Sequence, residues 1–190
     1  MAIMIDHTNL SMQATKEEVE TLCQEAMDYY FKAVCVRSSM VAIASSYLRG
    51  SDIQVCSVVG FPTIKTTTCE EMERAICRYT TDSKVKEAQY AIGAGASEVD
   101  MVINLRALKQ KEYNLVEDDI KAVVTVAAPM SCLVKVIIET CYLTDEEKVI
   151  VCKIAECAGA QFVKTSTGYG LYGATLYDME LMSKVIGEGV

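Results

Sequence analysis

The chain has 190 residues, 51% of them hydrophobic and 23% charged, with only two prolines, the balance of a single compact domain with a substantial core rather than of a disordered or fibrous chain. A net charge of -8 and a pI near 4.8 leave no electrostatic footprint for nucleic acid or for an anionic membrane surface. No apolar run approaches the ~20 residues that cross a bilayer, so the expectation is a soluble protein.

Strand-like and helix-like segments alternate along the chain. Residues 2–6, AIMID, read as a first strand, and 14–30 as a helix with apolar positions at Val19, Leu22, Cys23 and Ala26. Thr15 followed by Glu18 makes a capping box at its start. AVCVR (33–37) reads as strand, SMVAIASSYL (39–48) as helix, and IQVCSVVG (53–60) as strand, stopped by Gly60 and Pro62. The stretch from 63 to 82 breaks the rhythm; it has a central helical tendency, and reads as an insertion on the side where strands end. Then come helix 83–95, strand 98–104, helix 113–127, strand 132–140, helix 144–159 capped by Thr144 and Glu147, strand 161–167 and helix 174–187. Six strand-helix units with strands apolar on both faces predict an α/β protein with a parallel sheet covered by helices. A doubly wound open sheet and a (β/α) barrel both fit this order.

Nine cysteines lie scattered in hydrophobic segments, none in a C-x-x-C pair. Together with the absence of a signal-peptide pattern at MAIMIDHTNL, they read as free buried thiols in a reducing cytoplasm. His7 is the lone histidine, which argues against a Ser-His-Asp triad and a multi-histidine metal site. GYGLYG at 168–173 matches G-x-G-x-x-G, but no following strand or ribose-binding acid stands where a dinucleotide site needs them. A glycine-rich loop that lets a substrate approach the backbone fits better.

The chemistry concentrates in the later strands. Lys135 interrupts the apolar run CLVKVIIET and shares a strand face with Leu133, Ile137 and Glu139; Lys164 shares one with Phe162 and Ser166; Asp100 with Glu98 and Val102. Singly, each reads as a charge that snorkels to water. Together on neighbouring strands of a barrel they would face one another in a low-dielectric interior. Burial and a neighbouring cation both depress a lysine's pKa, so the expectation is a neutral, nucleophilic amine able to form a Schiff base. Asp6 reads as a cap or as a group pointing into the site.

The segments IDHTNL, CSVVGFP, GASEVDMVIN, VKVIIETCYLT and FVKTSTGYG..GAT, in order over nearly the whole chain, resemble the deoxyribose-phosphate aldolases, class I aldolases on a TIM barrel. The resemblance implies reversible cleavage of 2-deoxy-D-ribose 5-phosphate to D-glyceraldehyde 3-phosphate and acetaldehyde, with Lys135 as Schiff-base lysine and with Lys164 and Asp100 as proton relay. It places Asp6, Cys35, Thr165, Thr167 and Gly168 at the substrate. No metal or other cofactor is implied, since the iminium is the electron sink. Two departures stand out. The stretch after GFP is longer than the family's, and a full barrel of ~250 residues would continue beyond Val190 with strands seven and eight and their phosphate-binding loops. The fold expectation is therefore an incomplete TIM barrel of six βα units, with weak hold on the 5-phosphate and open edges that invite a homo-oligomer. Competing readings are another Schiff-base phosphosugar aldolase, and a catalytically impaired truncated barrel acting as an interaction module.

Overall fold

A computed structural model describes residues 2–186. Six parallel strands lie in one sheet in chain order: β1 (Asp6–Asn9), β2 (Ala33–Val36), β3 (Gln54–Val59), β4 (Glu98–Val102), β5 (Leu133–Ile137) and β6 (Phe162–Lys164). Parallel neighbours require crossover connections, and helices supply them: α1 (Lys16–Asp28), α2 (Val41–Tyr47), α3 (Cys69–Ile76), α4 (Thr81–Gly93), α5 (Leu105–Lys109), α6 (Tyr113–Ala127), α7 (Asp145–Cys157) and α8 (Leu176–Val185). Sequential strand order and helices along one face make a part-closed (β/α) barrel, with β1 and β6 as the edges among the described residues. Of the two architectures that the segment order allowed, this is the barrel.

Strand alternation divides the sheet's side chains into two sets. Val99, Met101, Val134 and Val136 are fully buried in one apolar cluster with Ala88, Ile120, Val123 and Val151 of α4, α6 and α7. Each such valine stabilises the layer by about 1.5 to 3 kcal/mol relative to exposure. The residues that alternate with them, Glu98, Asp100 and Lys135, turn to the other face, where they meet one another. The helix starts are fixed locally. Thr15 accepts from the Glu18 amide while Glu18 accepts from the Thr15 amide, and Thr144 with Glu147 repeats the arrangement.

The first strand differs from expectation. Ala2–Met4 is a 3-10 turn and the strand begins at Asp6, paired with Ala33. Ile3 and Met4 are exposed, so their apolar character does not reflect strand burial. Within 63–82, Cys69–Ile76 forms α3 behind its own capping box of Thr68 and Glu71, and α4 starts at Thr81, two residues before the expected position. The five-residue α5, capped by Asn104, was not anticipated; it is too short to show a helical period.

Candidate active site

Register brings the ionisable residues together. Asp100 pairs across β4 and β5 with Lys135, and Ile137 pairs with Lys164 on β6, so the three side chains enter the interior from adjacent strands at neighbouring levels. Lys135 Nζ lies 2.6 Å from Asp6 Oδ2, 2.7 Å from Glu98 Oε2 and 3.2 Å from Asp100 Oδ1. Lys164 Nζ donates to the other oxygen of Asp100 at 2.5 Å. Asp100 is thus a bridge between two ammonium groups. Its side chain is almost wholly buried, whereas Lys164 keeps about a third of its side chain open (37%).

Below this group lie two cysteines. Cys35 and Cys56 pair in register on β2 and β3, and Cys56 Sγ donates to Asp100 Oδ1 at 3.1 Å while sitting 3.7 Å from Lys135 Nζ. Burial pushes the Cys56 thiol well above its usual range, so it remains a neutral donor. Cys35 Sγ, Cys56 Sγ and an Asp100 oxygen lie within 4.8 Å of one another, a donor set that could hold a cation. A divalent cation there would have to displace two ammonium groups from Asp100, so the arrangement serves the lysines first.

The charge state of Lys135 overturns one expectation. Burial opposes its charge, but Asp100 and the hydrogen-bonding carboxylates of Asp6 and Glu98 outweigh it, and its pKa lies well above the ordinary lysine value. The resting amine is therefore ammonium, not the neutral base expected from burial beside a cation. The physical reason is the count of partners: three carboxylates surround one amine, and charge pairing at this distance exceeds desolvation. For Asp100, burial works upward, but Lys135 and Lys164 prevail and hold its carboxyl below the usual carboxylate range. Lys164 is likewise raised: burial works downward and Asp100 outweighs it.

The residues expected at a substrate divide by location. Asp6 points into the interior, onto Lys135; Cys35 lines the interior, buried. Thr165, Thr167 and Gly168 form the loop after β6. The Thr165 carbonyl accepts from the Thr140 amide at 2.9 Å, the Thr167 hydroxyl and amide bond Glu139, and Gly168 adopts φ +79°. His7 is away from this group; its Nε2 meets Glu25 at 2.7 Å on α1. Glu98 was missed as a site residue, although its place two residues before Asp100 on the same strand face was the signal.

Comparison with known proteins agrees with this geometry. The model of the DeoC/LacD family aldolases matches residues 1–189. The chain is similar to the deoxyribose-phosphate aldolase of Aciduliprofundum boonei, at 49% identity over 99% of this chain and 79% of the relative. It is similar also to that of Thermococcus kodakarensis, at 51% over 98% and 79%. Among solved structures it resembles a tetrameric deoxyribose-phosphate aldolase from Aeropyrum pernix, with a TM-score of 0.80 and 28% identity over 97% of this chain and 71% of that one. A parallel half-barrel with a lysine held among carboxylates, in a sequence matched along its length by these enzymes, is a member of the DeoC/LacD family of aldolases.

Proposed function

We propose that the protein is a deoxyribose-phosphate aldolase that cleaves 2-deoxy-D-ribose 5-phosphate reversibly to D-glyceraldehyde 3-phosphate and acetaldehyde through a Schiff base on Lys135. The observation that carries this reading is the position of Lys135 Nζ within 3.2 Å of Asp100, whose second oxygen holds Lys164 at 2.5 Å. An amine, a carboxylate and a second amine in contact form a proton relay beside a nucleophile.

The steps follow from the charges. As the open-chain sugar's C1 aldehyde approaches, Lys135 gives a proton to Asp100 and its lone pair attacks C1. Asp100 returns that proton to the carbinolamine hydroxyl, which leaves as water, so that an iminium and the Asp100 carboxylate remain. The iminium's positive charge sits where the ammonium was, still faced by Asp6 and Glu98. The relay of Asp100 and Lys164 takes the proton of the C3 hydroxyl; the C2–C3 bond breaks, its electrons move into the C1–C2 enamine, and C3 departs as the aldehyde of glyceraldehyde 3-phosphate. Protonation at C2 and attack of water on the iminium then release acetaldehyde and the amine. Thr165, Thr167 and Gly168, on the loop beyond Lys164, face the rest of the sugar phosphate. The iminium is the electron sink, so the chemistry calls for no metal.

The nine free thiols fit a reducing cytoplasm as the place of action. Exposed Leu171 on the loop after β6 and exposed Leu176 and Met179 on α8 favour a homo-oligomer.

Borohydride reduction in the presence of acetaldehyde, followed by peptide mapping, tests the assignment. One reduced adduct at Lys135, absent from Lys135→Ala, is expected. No adduct, or adducts spread over surface lysines, would refute it. Turnover of another phosphosugar in preference to deoxyribose 5-phosphate would leave the Schiff base standing and remove the substrate.

A further inference from the structure

Glu139 is the most unusual buried group outside the lysine relay. It follows β5 with φ +56° and ψ +64°, a left-handed conformation that costs a residue with a Cβ about 1 to 3 kcal/mol. It is 1% exposed and has no cationic partner among the described residues: its carboxylate receives the Thr167 amide at 3.3 Å, the Thr167 hydroxyl, and the Cys141 thiol at 3.8 Å. Burial pushes its pKa up and the Thr167 hydrogen bonds only partly offset this. A strained, buried acid is kept by the surrounding structure only where several contacts fix it.

Those contacts lead along the loop after β6. The Thr167 hydroxyl that donates to Glu139 also accepts the Tyr169 amide at 2.9 Å. The Tyr169 carbonyl accepts from the Thr66 amide at 2.7 Å and from the Thr66 hydroxyl at 3.2 Å, and Thr66 in turn meets the Tyr142 hydroxyl at 3.1 Å. Tyr169 packs edge-on against Phe61, with centroids 5.3 Å apart. The loops after β3, β5 and β6 are therefore joined at the mouth of the barrel. Space is tight at the join: a Cβ on Gly170 would come within 2.7 Å of Cys141 Sγ and 3.1 Å of Glu139 Oε1.

We infer that Glu139 is a positioning residue that presets the Thr165–Gly170 loop for the sugar-phosphate end of the substrate, acting through the Thr167 hydroxyl and with Thr66 as the opposing anchor. Gly168, between the two anchored residues, has a φ of +79°, with open space where a Cβ would stand. The inference rests on the aldolase reading above. It differs from that reading in what it requires: Glu139 touches neither the reacting carbon nor Lys135, so it governs how the large substrate is held and leaves amine chemistry with a two-carbon aldehyde untouched.

Glu139→Ala separates the two. Misplacement of a substrate-holding loop raises KM for deoxyribose 5-phosphate by about tenfold or more, while the rate of acetaldehyde trapping at Lys135 stays within about twofold. Glu139→Gln, which keeps an acceptor for Thr167, recovers most of the loss. Amide exchange at Tyr169 and Thr167, slow in the parent, becomes fast in Glu139→Ala with the strand amides unchanged. An unaltered KM, or trapping and cleavage reduced in equal proportion, would overturn the role. If Glu139→Ala fails to fold, Thr66→Val, which removes the opposing hydroxyl, must raise KM in the same selective way; an unchanged KM there overturns it as well. Absence of trapping in the parent protein refutes the Schiff-base reading instead, so the two failures are distinct.

Discussion

Asp100→Asn isolates what holds the nucleophile in its charged form. Asp100 Oδ1 lies 3.2 Å from Lys135 Nζ, and the carboxylate is one of the causes that raise the lysine's pKa. Two unit charges about 4 Å apart at an effective dielectric of about 20 interact by about 4 kcal/mol. At about 1.4 kcal/mol per pH unit, that sets a ceiling of about 3 units on the change. Asp6 and Glu98 remain, so the expected fall in the Lys135 pKa is about 1 to 3 units. Lys164, deprived of its anionic partner, adds to the fall. The assay is cyanoborohydride capture of acetaldehyde at Lys135 as a function of pH: the half-maximal rate moves to lower pH in Asp100→Asn, because more of the amine is neutral at any given pH. Cleavage of the phosphosugar falls by about a hundredfold or more, since the relay has lost its acceptor. A capture profile that stays in place or moves to higher pH would refute the claim that this carboxylate keeps the amine protonated.

The complementary change, Lys164→Leu, moves the profile in the opposite sense. It removes a cation and frees the whole Asp100 carboxylate for Lys135, so capture weakens at neutral pH and recovers at higher pH; an unchanged profile would disprove the coupling. A separate prediction concerns stability. Lys84 Nζ bonds Asp119 Oδ2 at 2.5 Å and the Val102 carbonyl at 2.8 Å, with both side chains 2% exposed. Lys84→Met leaves a buried carboxylate with the Thr81 hydroxyl and without its cation, at a cost of about 3 to 5 kcal/mol by urea unfolding. Adding Asp119→Leu should recover most of it, and a single-variant loss under about 1 kcal/mol would contradict the accounting.

The lysines and Asp100 were legible because they break a two-residue alternation on strands that had to be parallel. Periodicity reports the face; it does not report the level along the strand. Which carboxylates reach Lys135 depends on register, Asp100 opposite Lys135 and Asp6 opposite Ala33, and that comes from packing of whole elements. The expected neutral amine failed for this reason. Asp6 stood ambiguous because the apolar residues before it imitate a strand while forming a turn. Glu139 was visible on the Lys135 face, yet its task lies in a left-handed backbone and a contact with Thr167, neither of which leaves a mark in local sequence pattern.

Burial alone does not separate a reactive lysine from a structural one. Lys84 and Lys135 are both buried and both paired. Lys84 faces one carboxylate and one carbonyl, so once Asp119 had taken its proton a cation formed next on that nitrogen would face no anion. Lys135 faces three carboxylates, with Lys164 sharing one of them. When Asp100 takes its proton, the local charge is unchanged, and Asp6 and Glu98 are still in place for the cation that forms next on the same nitrogen. A surplus of anionic partners thus lets Lys135 exchange an ammonium for an iminium without leaving a buried charge unpaired, and it is this surplus that Lys84 lacks.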